Sequence, residues 1–295
     1  MKTLNIIGPG RVGRSCGRMW AQAGVFEIQD LLARSRQSAG EAVKFIGTGH
    51  AAGQFGEMRA ADVWMIATPD DTIEQSCRAL AASGKLKPGN IVFHVSGATP
   101  SSTLAPAAAC GALIASTHPI KTFTDAGLAV QTFPGTYCGA EGNPVALEAL
   151  KPAFEAIGAR VFDITPELKH IYHAGGVFSC NYLAALIEAA LRAHEKAGLP
   201  RTASLKALEP IVRETVDAIF EKGPARALTG PISRGDAGTV ARQLAMVEGW
   251  DRGLGMLYRG LGLIAVELAR SDGRLNAARA LALETILKES GSGRN

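Results

Sequence analysis

Short apolar runs recur through the first half of the sequence at 4–7, 27–33, 63–67, 91–95, 113–117, 136–139 and 160–164, and helix-compatible stretches separate them. That alternation predicts an α/β fold, a doubly wound parallel sheet over residues 1–164. After Ile164 the pattern changes. Thr165-Pro166-Glu167 reads as an N-cap, a proline at the first helical position and an early carboxylate, and Ala- and Leu-rich helical periodicity then continues without a strand signal. Helices are predicted over 167–197, 202–222 with a break near Pro210, 236–247, 249–271 and 275–289, leaving 290–295 as a frayed tail. The sequence thus divides into a sheet domain, 1–164, and an all-α C-terminal domain, 165–295.

Ligands of open parallel sheets bind beyond the carboxyl ends of the strands, so the residues just after each run are the ones that carry chemistry. The first run ends in Gly8-Pro9-Gly10-Arg11-Val12-Gly13 and opens a helix. In a Rossmann dinucleotide fold the first glycine of such a motif makes the turn, the second lets backbone N–H groups approach the pyrophosphate, and the third lets helix and strand pack closely. The second run ends in Arg34-Ser35-Arg36, and the nearest acid, Asp30, is followed by apolar residues that put it inside the strand. Two guanidiniums flanking a hydroxyl suit the extra phosphate of NADP better than the bare ribose of NAD. Thr68-Pro69 is placed to line the cofactor, and Asp70 or Asp71 to cap the following helix.

Three further constellations carry candidate chemistry. His94 lies within its strand and reads as a hydrogen-bonded core residue, whereas Ser96-Gly97 stands at the strand's open end, as a substrate-holding hydroxyl or as a turn former. His118-Pro119 ends the next run near Lys121; a histidine fixed there can give a proton or anchor a carboxylate, because its pKa lies near neutrality. The helical domain opens with Lys169, His173, Gly175-Gly176 and Asn181. On an ideal helix His173 lies about 40° round from Lys169 and Asn181 about a further 80°, so the three share one broad face. His170 points away from that face, and His194 sits in a solvated charged run. No third ligand accompanies His170 and His173, so no metal site is expected.

Composition narrows the classes. At 295 residues, 47% hydrophobic and 20% charged, the chain is long enough for two domains, and no apolar run approaching the roughly 20 residues of a membrane span is read from it, so no membrane partner is expected. No secretory signal is expected either, since Met1-Lys2 runs straight into a predicted strand. The scattered cysteines 16, 77, 110, 138 and 180 predict reduced thiols in a cytoplasmic protein. A formal net charge of +4, dispersed rather than clustered, predicts no nucleic-acid partner and suits an anionic cofactor and a small carboxylate substrate.

On Gly8 to Gly13, Arg34-Ser35-Arg36, His94-Val95-Ser96-Gly97, His118-Pro119, Lys169 to Tyr182 and Thr229-Gly230-Pro231-Ile232-Ser233-Arg234-Gly235-Asp236, the chain resembles the Rossmann-like proteins that carry a C-terminal domain of unknown function. That family is similar to the group holding pyrroline-5-carboxylate reductase, ketopantoate reductase, prephenate dehydrogenase and 6-phosphogluconate dehydrogenase. The resemblance implies an NADP- or NAD-binding domain followed by an all-helical domain that often dimerises. It also implies that Ser96 and His118 correspond to the Ser and His-Pro of prephenate dehydrogenases, whose His bonds the substrate hydroxyl. Lys169 and Asn181 stand where hydroxyacid and ketopantoate enzymes place a catalytic Lys and a substrate Asn, although about three helical turns separate them here instead of one.

The expectation is therefore an NADP-dependent oxidoreductase that transfers a hydride to a carbonyl or imine carbon of a small carboxylate. A non-catalytic NADP-binding sensor or scaffold is the alternative. Lys169 or His118 is the expected proton donor, with His173 a competitor, and Ser96 and Asn181 orient the substrate. Arg234, with Lys121, pairs with the substrate carboxylate, or Arg234 closes an ion pair with Asp236. A homodimer through the helical domain is expected, with Gly253, Gly255, Gly260 and Gly262 permitting close helix contact.

Overall fold

The computed structural model describes residues 1–288, so the expected tail at 290–295 and the end of the last expected helix lie outside the described residues. The chain forms two compact units, Met1–Asn181 and Tyr182–Asn295. The last strand closes at Asp163, and the split between the units falls later than the sequence boundary at 164/165, inside a continuous helical stretch, Pro166–Lys196.

In the first unit β1 (Lys2–Ile7), β2 (Phe26–Leu32), β3 (His50–Ala52), β4 (Val63–Ile66), β5 (Ile91–His94), β6 (Leu113–Pro119), β7 (Tyr137–Gly142) and β8 (Arg160–Asp163) form one sheet in the order β3-β2-β1-β4-β5-β6-β7-β8. Side chains alternate across it. Val63 and Met65 enter the cluster built around Trp20, Phe93, Phe133 and Phe154, while Trp64 and Ile66 enter that of Met58, Ile73, Leu80 and Leu104. The central strands β4 and β5 are buried throughout, which is why they read as unbroken apolar runs. Trp20 packs edge-on against Phe26, Phe93 and Phe154 and donates its indole N–H to the Ala153 carbonyl at 2.9 Å, so its polar atom is satisfied in the core.

The sheet departs from the expectation in two places. β3 is a short addition that pairs with β2, and its His-Ala-Ala sequence carries too little apolar signal to stand out. β7 runs antiparallel to β6, so the sheet is mostly, not wholly, parallel. Gly142 makes that pairing feasible: at φ +130° a Cβ there would lie 2.6 Å from the Ala115 Cα. β7 also extends to Gly142, beyond the expected end at 139, which brings Glu141 into the sheet.

Two expected caps take other forms. Thr165 stands at the N-cap of a 3₁₀ turn, Pro166–Leu168, but its side chain makes no capping bond. Asp70 and Asp71 lie inside a 3₁₀ turn, Asp70–Thr72, ahead of helix Ile73–Ala82, and neither caps that helix. All five cysteines are free thiols.

The second unit is helical. Arg201–Lys222 is continuous through Pro210, so the expected break is absent, and helices Ala237–Trp250, Arg252–Ser271 and Ala277–Lys288 follow short turns at Pro224–Ala227 and Pro231–Arg234. Val240, Val266, Leu283 and Leu287 form its core. A Cβ on Gly255 would lie 2.3 Å from Glu248 Cγ, and one on Gly262 would lie 2.7 Å from Leu287, so these two glycines serve packing within the unit. His194 is not solvated as expected: its Nδ1 lies 2.5 Å from the Ser204 hydroxyl.

Candidate active site

β1, β4, β5 and β6 are adjacent and mutually parallel, so Gly8, Thr68, Ser96 and His118, at or just beyond their ends, fall along one carboxyl edge. At Gly8 the backbone takes φ +75°, and a Cβ would lie 2.5 Å from Thr68 Cγ2. At Gly13 a Cβ would press on Ala67, the Gly8 carbonyl and Ile6 at 3.1–3.3 Å, the close helix-to-strand approach that the motif requires. Gly10 stands in nearly open space at the N-cap of helix Arg11–Gln22, with no side chain capping the helix's first N–H groups. Beside this turn Thr68 Oγ1 is buried without a hydrogen-bond partner. A loop with glycine at positions 8 and 10, an uncapped helix start opened by Arg11 and Val12, and an orphan hydroxyl fit a dinucleotide diphosphate.

At the end of β2, Ser35 accepts a bond from Ser38 N–H at 3.1 Å and caps helix Arg36–Ile46. Arg34 is exposed, and Arg36 holds only a loose, exposed ion pair with Glu57 at 3.5 Å. Asp30 is buried inside the strand, where Arg59 donates to it through Nη2 at 2.7 Å, so the carboxylate is committed away from the ribose position. Burial works against its ionisation, but the Arg59 hydrogen bonds and charge outweigh burial and hold the Asp30 carboxyl below the usual range.

Farther along the edge lies a buried polar network. Lys169 is fully buried, and its ammonium donates to Glu141 Oε1 at 3.0 Å and to the Ser116 hydroxyl. Glu141 also accepts from Ser101 N–H at 2.8 Å and from the Ser101 hydroxyl at 2.6 Å. Burial lowers the pKa of Lys169, opposed by the charge and hydrogen bond of Glu141 and by the charge of Asp70. Ser116 Oγ lies 3.3 Å from His94 Nδ1 and 3.4 Å from the Ser96 carbonyl, and His94 Nε2 faces the Pro100 carbonyl at 3.3 Å. His94 is therefore the hydrogen-bonded core histidine the sequence suggests, with burial pushing its pKa down to about 3.

Next to it stands an imidazole pair. His118 and His173 have ring centroids 5.7 Å apart, and His118 Nδ1 lies 3.1 Å from the Tyr172 hydroxyl. Both rings crowd Gly97: a Cβ there would meet His173 Nδ1 at 2.4 Å and His118 Nε2 at 2.7 Å, so only glycine fits between strand end and rings. His173 Nδ1 is buried without a partner. Burial, then the charges of His173 and Lys169, push the His118 pKa down to about 4.

The expected site residues thus divide. Lys169, Ser96, His118 and His173 gather at the ends of β5 and β6, with the Ser96 hydroxyl accepting from Ala98 and Thr99 N–H groups at 3.2 and 3.0 Å, as a turn former does. Lys121 donates its ammonium to the Thr132 carbonyl at 2.8 Å instead of standing open. Asn181 is exposed at the end of a π-helical turn, Val177–Asn181, whose wider winding breaks the ideal helical angle assumed between it and His173. A Cβ on Gly175 or Gly176 would meet nothing within 4 Å. Arg234 is exposed in the second unit, while Asp236 caps helix Ala237–Trp250 through Thr239 N–H at 3.0 Å. Glu141, Ser116 and Tyr172 escaped the sequence reading. The signal for Glu141 was a carboxylate among small residues in Cys-Gly-Ala-Glu-Gly, and Tyr172 lay inside the flagged helix.

Comparison with known families agrees with this layout. Residues 2–119 match the Rossmann-like domain family, and residues 136–264 match the domain of unknown function DUF2520. The chain thus carries a Rossmann-like domain followed by a DUF2520 domain. Its fold is similar to that of protein TM1727 from Thermotoga maritima, at 25% identity and a TM-score of 0.74 over 92% of this chain and 100% of that one. It is also similar to BF3122 from Bacteroides fragilis, a protein assigned as an NADP oxidoreductase, at 21% identity and a TM-score of 0.68 over 92% and 97% of the two chains. The imine reductase of Myxococcus stipitatus, solved with NADP+, matches at 17% identity and a TM-score of 0.62 over 95% and 99%. Among curated protein sequences, none matches the chain.

Proposed function

We propose that this Rossmann-like DUF2520 protein is an NADP-dependent oxidoreductase that reduces a carbonyl or imine carbon of a small carboxylate. The observation that carries the reading is the shared sheet edge: the Gly8–Gly13 cradle with the orphan Thr68 hydroxyl lies on the same edge as the His118–His173 pair. Similar folds in an assigned NADP oxidoreductase and an NADP+-bound imine reductase support the class.

Gly8, Gly10, Arg11, Val12 and Gly13 would hold the diphosphate, Thr68 and Pro69 the adjoining wall, and Arg34, Ser35 and Arg36 the adenosine phosphate. The bound cofactor supplies the hydride. The protein must then deliver a proton to the substrate heteroatom. Lys169 has no exposed surface and its ammonium is engaged by Glu141 and Ser116, whereas His118 is only partly buried, so His118 is the better donor. With its pKa near 4 it is neutral at pH 7 and offers an N–H, as a neutral imidazole does when it polarises a carbonyl. Lys169, Glu141 and Ser116 fix the ends of β5 and β6 beneath it. The turn-forming Ser96 hydroxyl keeps its own proton free to orient substrate.

The test is turnover of reduced nicotinamide over a panel of keto acids, cyclic imines and aldehydes. Oxidation of NADPH by at least one class is expected. NADPH binding with no turnover on any of them would favour a sensor or scaffold.

We also propose that the protein is a cytoplasmic homodimer. The helical stretch Pro166–Lys196, 31 residues, is long and apolar enough by length and composition alone to cross a membrane, contrary to the sequence expectation. In a helix that carries Glu188, Arg192 and Lys196, a second copy is the better cover for this surface.

A further inference from the structure

Resting on the reading of His118 as the proton donor, we infer that Tyr172 is a positioning residue that fixes His118 in the tautomer whose proton is on Nε2. Tyr172 has no place in the sequence expectation, but two contacts tie it to that histidine, and a third holds its own ring. Its hydroxyl oxygen lies 3.1 Å from His118 Nδ1, its ring meets the imidazole edge-on at a centroid distance of 5.8 Å, and the Phe162 ring packs edge-on against it at 6.2 Å. The hydroxyl is seated against β7, where a Cβ on Gly139 would lie 2.7 Å from it.

The direction of the hydrogen bond decides the tautomer. A tyrosine hydroxyl has one proton to give and lone pairs with which to accept. Among the described residues His118 Nδ1 is the one acceptor within hydrogen-bond distance of the Tyr172 hydroxyl, and burial pushes the phenol's pKa up to about 12, so it keeps its proton at neutral pH. That proton is then directed at His118 Nδ1. An imidazole that accepts at Nδ1 and is neutral must carry its own proton on Nε2. Nε2 is the nitrogen that faces Gly97 at the end of β5, where a Cβ would lie 2.7 Å from it, on the sheet edge where a substrate would bind.

The arrangement also closes a proton balance. As the His118 Nε2 proton passes to the oxygen of a newly reduced carbonyl, the Tyr172 proton can pass to Nδ1, so the ring stays neutral and the charge rests on the phenolate. Solvent later returns the proton to Tyr172. No base or acid beyond water is needed.

The experiment is ¹⁵N NMR of the full-length protein labelled in histidine, with the His118 signals assigned by their loss in His118→Gln. In the unmodified protein at neutral pH, Nε2 should resonate as a protonated nitrogen and Nδ1 as an acceptor. In Tyr172→Phe, which keeps the ring and its packing, both should move toward the averaged values of an exchanging tautomer pair. Near-UV circular dichroism of the same variant reports whether packing is retained, and Tyr172→Trp offers a second variant without the hydroxyl. A His118 protonated on Nδ1 in the unmodified protein, or an unchanged tautomer in a folded Tyr172→Phe, overturns the inference. These signals need no substrate, so a failed reductase assay would leave them readable, and a wrong tautomer would not by itself remove turnover.

Discussion

Lys169 Nζ and Glu141 Oε1 stand 3.0 Å apart with both side chains sealed from solvent, one on the helix that leaves the sheet and the other on its antiparallel strand. Such a pair costs desolvation to bury, and much more to break, because the remaining partner is an uncompensated charge. Lys169→Met should therefore destabilise the protein by ~3–5 kcal/mol in urea unfolding. Lys169→Met combined with Glu141→Gln should cost less than the two single changes added together. Strict additivity would show that the pair is not coupled.

The cofactor cradle gives a steric prediction. Gly8→Ala places a methyl 2.5 Å from Thr68 Cγ2 on a backbone at φ +75°, so the turn must shift. Nucleotide affinity by fluorescence titration should fall at least tenfold, with a stability loss of ~1–3 kcal/mol from the strained φ. Gly10→Ala, in open space, should be far milder on stability.

Cofactor choice follows from the β2 tip. NADPH should bind more tightly than NADH, and Arg34→Ala with Arg36→Ala should erase most of the difference, since each charge-assisted bond is worth about 1.5–3 kcal/mol. Equal affinities for the two cofactors in the unmodified protein would contradict it.

Acid should destabilise the protein through its neutral histidines. His118 and His94 have folded-state pKa values pushed down to about 4 and about 3, below the ordinary 6.5, chiefly by burial. Below pH 6.5 the unfolded chain binds protons that the folded chain refuses, so stability present at neutral pH is lost as pH falls from about 6.5 through about 4 and 3. The urea midpoint should drop between pH 7 and pH 5, and drop less in His118→Gln. Equal drops in both proteins would remove His118 from this account.

Assembly is tested by light scattering at micromolar concentration. Ile171, Phe178, Ile211 and Phe220 are 72%, 67%, 59% and 87% exposed in the single chain, and a dimer that covers such surface is expected. A monomer under these conditions would leave that apolar surface for a different partner.

Much of this protein was legible in one dimension. Central strands such as Val63–Ile66 are buried on both faces and therefore read as apolar runs, and the Gly8 turn takes a φ of +75° that favours glycine, so both announce themselves in the sequence, although the neighbours that crowd Gly8 and Gly13, Thr68 and Ala67, come from β4's end. His94 as a core residue and Asp30 as a strand interior also followed from position alone, because alternation and neighbouring residues fix which way a strand residue points. The antiparallel turn of β7, the partner of Lys169 and the Tyr172–His118 contact did not follow. Glu141 and Lys169 are 28 residues apart, and His118 and Tyr172 are 54 apart. Nothing in either local pattern encodes such meetings, since strand direction depends on how the chain crosses between β6 and β7. The central strands and the chemistry at their ends were set by local sequence; the end of β7, which charges cancel, which imidazole is left neutral and which hydroxyl holds it were decided only when the sheet brought distant segments to one edge.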